Sequence, residues 1–478
     1  MPRGMSTEMF EVFVREQSAE TLANVLLQLA TDQVAVHERL VRLQLSNQPK
    51  ALAATFRQTL TDWCRSTTYF GYAEVREFGN ALETWLEQIE AELLPTDPAA
   101  ALALAEEFVE ANGVFFECAD DSGGVIGDAV RAGCRLWLVA ASRCKSPAEL
   151  WPARIAALVA ADEYGARDEL LRRADLLLDE RTLRELVSSY EQQLVDALAK
   201  RSGEPPGRKD HFDRQSSTAS SALGLLAEAL QDPDLVMRTL LRRSPLPNPH
   251  QKEGLVRSYL KYGRPDGALA WLDKPWGDME SSRQHLLAQV LPMVGRAEEA
   301  RPIRQAIFKT TLSVTDLHAW LELVPAHEQG KAIEQARQLA QTHEDPVVVA
   351  RLLMDLGDDR AAEAALVAAP ARIPGSDYGA LLPLVAQLEN KERSMGATVV
   401  YRALLVAILD RAYAPAYPHA ARYWGKLQQL AQTTAIATSI EAAESFEARI
   451  RLQHRRKVRF WSEVNGLRSS EADPASND

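Results

Sequence analysis

The chain has 478 residues, 46% of them apolar and 25% charged, and a net charge of −12. That composition excludes a disordered polymer. The acidic balance argues against polyanion binding by the whole surface, although it leaves room for a local basic patch. Isoleucine occurs only 11 times, while alanine and leucine dominate. Both lose little on entering a helix, so the bias favours helix over strand. Four cysteines, Cys64, Cys118, Cys134 and Cys144, form no C-x-x-C pair. They read as reduced thiols of a cytoplasmic protein rather than as a disulfide framework or a zinc site.

Along the chain the apolar spacing predicts helices nearly everywhere. Met1 to Phe10 holds no apolar run, so no signal peptide is expected. Leu82, Leu86, Ile89 and Leu93, widened by Trp85, form one stripe with Glu83, Glu87 and Glu90 off it. This is a helix that buries one face. Asp97-Pro98, Ser146-Pro147, Asp232-Pro233 and Asp345-Pro346 each set a capping side chain before a proline at the first helical position. Ser146-Pro147-Ala148-Glu149 adds the glutamate of a capping box, and Ser313-Val314-Thr315-Asp316 is a weaker version. Asp120-Asp121-Ser122-Gly123-Gly124-Val125-Ile126-Gly127-Asp128 reads as a helix-capping turn or as a carboxylate site for a hard cation. It has the spacing of neither an EF-hand nor a phosphate loop.

Residues 1–201 therefore read as an N-terminal helical region. Residues 202–217 hold Pro205-Pro206, two glycines and many polar side chains, and read as an exposed linker. Residues 218–468 form a repeat region, and 469–478 a disordered polar tail. In the repeat region Gly263-Arg264-Pro265-Asp266-Gly267-Ala268 returns as Gly295-Arg296-Ala297-Glu298-Glu299-Ala300 and as Gly357-Asp358-Asp359-Arg360-Ala361-Ala362. His327-Glu328-Gln329-Gly330-Lys331-Ala332 fills the slot between the last two, giving steps of 32, 32 and 30 residues. A helix ends at a glycine of positive φ, a polar turn follows, and the next helix starts on an alanine where it crosses its neighbour. Such pairs must stack to bury their faces. The expected fold is all-α, an α-solenoid of antiparallel helix pairs with no substantial sheet.

With Tyr259, Leu291 and Leu353 four before the glycine, and Ala268, Ala300 and Ala362 five after it, the unit resembles tetratricopeptide-type repeats. Trp271, Trp276 and Trp320 read as core anchors. The apolar run Gly396–Leu409 is 14 residues long and carries Arg402, too short for a membrane span.

Near the C-terminus, Tyr401-Arg402-Ala403-Leu404-Leu405, Asp410-Arg411-Ala412 and Tyr417-Pro418-His419-Ala420-Ala421-Arg422-Tyr423 precede His454-Arg455-Arg456-Lys457 with Phe460 and Trp461. Together with Asp120 to Gly124 leading into Leu136-Trp137, they resemble an uncharacterised bacterial all-helical family. That family is related to the helical C-terminal part of SWIM zinc-finger proteins. The SWIM zinc motif, a C-x-C pair with a later C-x-H, is absent from this chain. The resemblance implies an all-helical fold and no particular activity.

Two clusters are candidate binding sites. Arg449, Arg451, Arg455, Arg456, Lys457 and Arg459 put six bases and no acid into 11 residues, read as one basic helix. It could cap the repeat stack, dock a protein, or neutralise phosphates with Phe460 and Trp461 stacking on bases. Tyr417, His419 and Tyr423, with Tyr413 and Trp424 nearby, are interhelix core or the lining of a ligand groove. No catalytic, cofactor or metal motif is legible. A non-enzymatic protein-interaction scaffold is the expected function, with nucleic-acid association through residues 449–459 as the alternative and no membrane partner.

Overall fold

The computed structural model describes residues 7–202, 214–433 and 440–471. Among them there are 26 α-helices and no strand, only an isolated bridge between Phe70 and Ala119. The chain is all-α, as its alanine and leucine bias requires. No described helix is long and apolar enough to cross a membrane. The helices form two compact units, Met1–Gln251 and Lys252–Asp478.

The first unit runs α1 (Thr7–Arg15), α2 (Ala19–Asp32), α3 (Val34–Gln44), α4 (Pro49–Arg65), α5 (Val75–Gln88), α6 (Pro98–Glu110), α7 (Asn112–Glu117), α8 (Val125–Arg143), α9 (Trp151–Ala160), α10 (Glu169–Arg172), α11 (Glu180–Ser202), α12 (Arg214–Leu230) and α13 (Pro233–Arg243). Its core lies where α5 and α6 pack on α8 and α4 packs on α6. Phe56, Trp85, Phe108 and Phe115 interlock there, with Phe108 stacked 5.5 Å from Trp85. The stripe Leu82, Trp85, Leu86, Ile89, Leu93 is buried throughout. It stays inward because the helix widens to a π turn at Ile89–Leu93, where the Leu94 N–H donates to the Ile89 carbonyl at 2.9 Å. Burial also pushes the Cys134 thiol above its ordinary range.

The caps at Asp97, Asp232, Ser313 and Asp345 form as expected, each side chain accepting from a backbone N–H two or three residues on. The capping box at Ser146 does not form. A 3-10 turn occupies Ala148–Leu150, and the helix starts at Trp151 instead. Trp151 is buried edge-on against Trp137 at 5.8 Å, so tertiary anchoring of that indole overrides the local capping signal. The acidic loop is a capping turn. Asp121 accepts from the Ile126 and Gly127 N–H groups at 2.8 and 3.1 Å and neutralises the start of α8.

The expected linker at 202–217 falls mostly outside the described residues. Ser202 ends α11, Arg214 to Ser217 open α12, and residues 203–213 lie outside the described residues. The two helices pack on each other because Ala219, Ala222, Leu223 and Leu226 of α12 are buried in the same core as Leu183, Val187 and Leu194 of α11. Of the expected tail, residues 469–471 continue the last helix, and 472–478 lie outside the described residues.

The second unit contains α14 (Pro249–Lys261), α15 (Pro265–Trp271), α16 (Glu280–Met293), α17 (Ala297–Thr311), α18 (Val314–Leu321), α19 (Ala326–Thr342), α20 (Pro346–Asp355), α21 (Asp359–Ala368), α22 (Tyr378–Asn390), α23 (Ser394–Arg411), α24 (Tyr417–Thr433), α25 (Ala443–Gln453) and α26 (Val458–Glu471). From α15 to α24 each helix packs against the next, except for α21 and α22, and α18, α20, α21 and α24 also touch the second helix onward. That is a stack of helix pairs. Gly263, Gly295 and Gly357 have φ of 65°, 77° and 75°. At each, the N–H of the following residue bonds back to the carbonyl of Tyr259, Leu291 or Leu353. Ala268, Ala300, Ala332 and Ala362 are buried at the crossings. Trp276 and Trp320 are core anchors, and Trp271 is half-buried.

Two further turns of the same kind carry no glycine. Gln231 (φ 52°) and Glu392 (φ 56°) take the left-handed conformation. The N–H groups of Asp232 and Arg393 bond back to Ala227 and Leu388 at 2.9 and 2.8 Å. The punctuation thus extends from residue 231 to residue 392.

Candidate partner-binding site

Phe460 is the centre of the C-terminal end of the second unit. It is 0% exposed, with ring centroids 6.1 Å from Tyr417, 6.4 Å from Trp424 and 4.7 Å from Trp461. Tyr417, Ala420, Ala421 and Trp424 occupy the inner face of α24. Tyr423 is buried against Tyr401 at 5.7 Å, and burial pushes both hydroxyls upward in pKa. Tyr417 and Tyr423 therefore sit buried between helices. His419 points the other way, is exposed, and lies 2.9 Å from Arg422 through Nδ1. These three residues do not converge.

The basic run is not one helix. Arg449 and Arg451 lie on α25, Arg455, Arg456 and Lys457 on a turn, and Arg459 in the first turn of α26. The chain breaks there because the His454 carbonyl accepts from the Lys457 N–H at 3.0 Å and from the Trp461 indole at 3.1 Å. Folding back inserts Phe460 into the core, which a straight helix could not do. His454 itself is buried. Its ring is pushed down in pKa by that burial, against the opposing pull of Asp410 at 3.5 Å.

The bases then divide into two classes. Arg449 makes two hydrogen bonds to the Glu441 carboxylate, at 3.1 and 2.8 Å. Arg451 pairs with Glu447 at 2.8 Å and lies over the rings of Trp424 and Trp461. Arg455, Arg456 and Arg459 are exposed, and Lys457 is half-buried. Among the described residues none of these four has an acidic partner. They surround the start of α26, where the helix dipole is already positive. Four like charges placed there repel one another and the dipole, and an anionic group docked at the corner relieves both.

Arg402 was legible only as a charge inside an apolar run. It and Arg449 lie over the Phe446 ring, at 4.5 and 5.0 Å, and Arg402 donates to the Glu441 carbonyl at 2.7 Å. With Asp410 they edge an open cleft of about 460 Å³ floored by alanine and valine. Its bases are matched by Glu441 and Asp410, so it lacks the surplus charge of the corner. No cluster of three or more metal-ligating side chains occurs among the described residues.

Comparison with curated proteins returns no match. Residues 14–463, nearly the whole chain, match the family described as Family of unknown function (DUF6880), and the chain belongs to that family.

Proposed function

We propose that the chain is a non-enzymatic adaptor that docks an acidic protein segment at the corner between α25 and α26. The likeness of its helix pairs to tetratricopeptide repeats supports a binding role, since stacked pairs offer long surfaces for peptides or helices. The observation that carries the reading is the surplus of Arg455, Arg456, Lys457 and Arg459 in a chain whose net charge is −12. Nucleic-acid association is the second reading, and the same charges favour it. Phe460, however, is buried, and the Trp461 indole is tied to His454, so neither ring is available to stack on bases.

Fluorescence anisotropy of the full chain with a labelled Glu/Asp-rich peptide tests this. Affinity is expected to fall with added salt, and to fall about tenfold in the triple variant Arg455→Ala/Arg456→Ala/Arg459→Ala. These side chains are exposed, so the fold should be unchanged. Equal binding by the variant, or binding of a single-stranded oligonucleotide in preference to the peptide, contradicts the proposal.

A further inference from the structure

We infer that a cavity between the α9–α10 segment and helices α11 and α12 holds a free α-amino acid with an apolar side chain. The inference is independent of the basic corner, which lies in the other unit. The cavity has a volume of about 300 Å³. That is the small end of the range for ligand pockets and suits a single amino acid.

The cavity wall carries one free acid and one free base. Asp168 stands at the N-cap of α10, yet its carboxylate caps no backbone N–H and makes no ion pair among the described residues. The two bases that act on it through space are held elsewhere. Arg172 pairs with Glu169 at 2.9 Å and Glu228 at 3.7 Å, and Arg131 pairs with Asp128 at 2.6 Å. Burial pushes the Asp168 carboxyl up in pKa, against the pull of Arg172 and with the added charge of Asp162. Asp162 is also on the wall, but it already accepts from the Tyr164 and Arg167 N–H groups at 3.1 and 2.8 Å. The base is Arg214 of α12, exposed and without an acidic partner among the described residues.

Between these charges lie hydroxyls and an apolar floor. Arg214, Ser217, Thr218, Ser221, Ala222 and Leu225 follow the three-and-four spacing of a single helix face, polar at its start and apolar beyond Ser221. The hydroxyls of Ser217, Thr218 and Ser221 make no hydrogen bond among the described residues, whereas Ser220, off that face, donates to the Ser216 carbonyl at 2.7 Å. Tyr190 of α11 adds a phenol that is only 8% exposed and has no hydrogen-bond partner among the described residues. A buried tyrosine hydroxyl ordinarily finds one. A ligand ammonium answers Asp168, and a ligand carboxylate answers Arg214 and the hydroxyls. An apolar side chain then rests on Val159, Leu171, Leu225 and the Tyr190 ring. A simple amine would leave Arg214 unmatched and a simple acid would leave Asp168 unmatched, so the zwitterion is the class that satisfies both.

Isothermal titration of the full chain with L-leucine, L-methionine and L-phenylalanine tests this. At least one is expected to bind more tightly than about 1 mM. Its decarboxylated and deaminated analogues, isopentylamine and isocaproate in the case of leucine, should each bind at least about tenfold more weakly. Asp168→Asn keeps the size of the side chain and should cost the amino acid a similar factor, with helical circular dichroism unchanged. Silence from all three amino acids overturns the inference. So does an analogue that binds as tightly as its parent, or an unaltered affinity in Asp168→Asn.

Discussion

Phe460→Ala is expected to destabilise the second unit by about 3–5 kcal/mol, the usual cost of removing a fully buried aromatic side chain. The ring is wholly buried and touches three others, Tyr417, Trp424 and Trp461. Its loss leaves a cavity that α24 cannot fill, because Ala420 and Ala421 on the same face are already packed. The consequence reaches the corner. Phe460 is what holds α26 folded back, so its removal should also free the turn at His454 to Lys457 and scatter the four bases. Urea unfolding followed by tryptophan fluorescence measures the first effect, since Trp424 and Trp461 both pack against the ring and against each other. Weakened binding of the acidic peptide measures the second. A loss below about 1 kcal/mol would mean that α26 is not docked as described.

Gly133→Leu is expected to cost the first unit more than about 3 kcal/mol, and Gly133→Ala about 1–3. A Cβ at Gly133 would stand 2.6 Å from the Phe108 ring, where α6 and α8 cross. Helix propensity argues the other way, since alanine exceeds glycine by about 1 kcal/mol in a helix interior. The overlap wins because the Phe108 ring cannot retreat. It is stacked on Trp85 and lies 5.1 Å from Phe115, with no exposed edge. Gly127→Ala on the same helix is the control. There the nearest atoms are the flexible guanidinium end of Arg131 at 3.4 Å, so alanine should be neutral or stabilising. Thermal melts of the three variants separate crowding from propensity. Equal melting temperatures for Gly133→Ala and Gly127→Ala would contradict the close crossing.

Much of this was written in the sequence, and the rest was hidden for physical reasons. The helix pairs were legible because glycine is the least strained way to reach positive φ, so Gly263, Gly295 and Gly357 announce their turns. Gln231 and Glu392 reach the same conformation without the signal, and the turns they make could not be read. Ser146 carried a full local cap signature, and burial of Trp151 overrode it. The proline and glycine content of residues 202–217 read as a boundary, although the apolar face of α12 already required α11 as its partner.

The six bases near the C-terminus were legible as a run, yet their division into paired and unpaired was not. Arg449 is neutralised by Glu441, which lies eight residues back and outside the run. Charge density along a sequence records which bases are present and says nothing of which acids fold against them. The break of the run into two helices likewise depends on Trp461 reaching the His454 carbonyl. The aromatic cluster was ambiguous because a core stripe and a groove lining share one spacing. Only His419, of its three named members, faces solvent.

The repeat account rests on the left-handed residues Gly263, Gly295, Gly357 and Glu392, each ending one helix of a pair before a buried alanine opens the next. Its most direct test is the pair Glu392→Gly and Gly357→Ala, compared by thermal unfolding. Glu392 is exposed at φ 56°, and a Cβ at Gly357 meets nothing within 4 Å, so both changes report backbone conformation alone. Glu392→Gly should raise stability by about 0.5–1 kcal/mol, and Gly357→Ala should lower it by about 1–2. A lower melting temperature for Glu392→Gly, or an unchanged one for Gly357→Ala, would contradict the account.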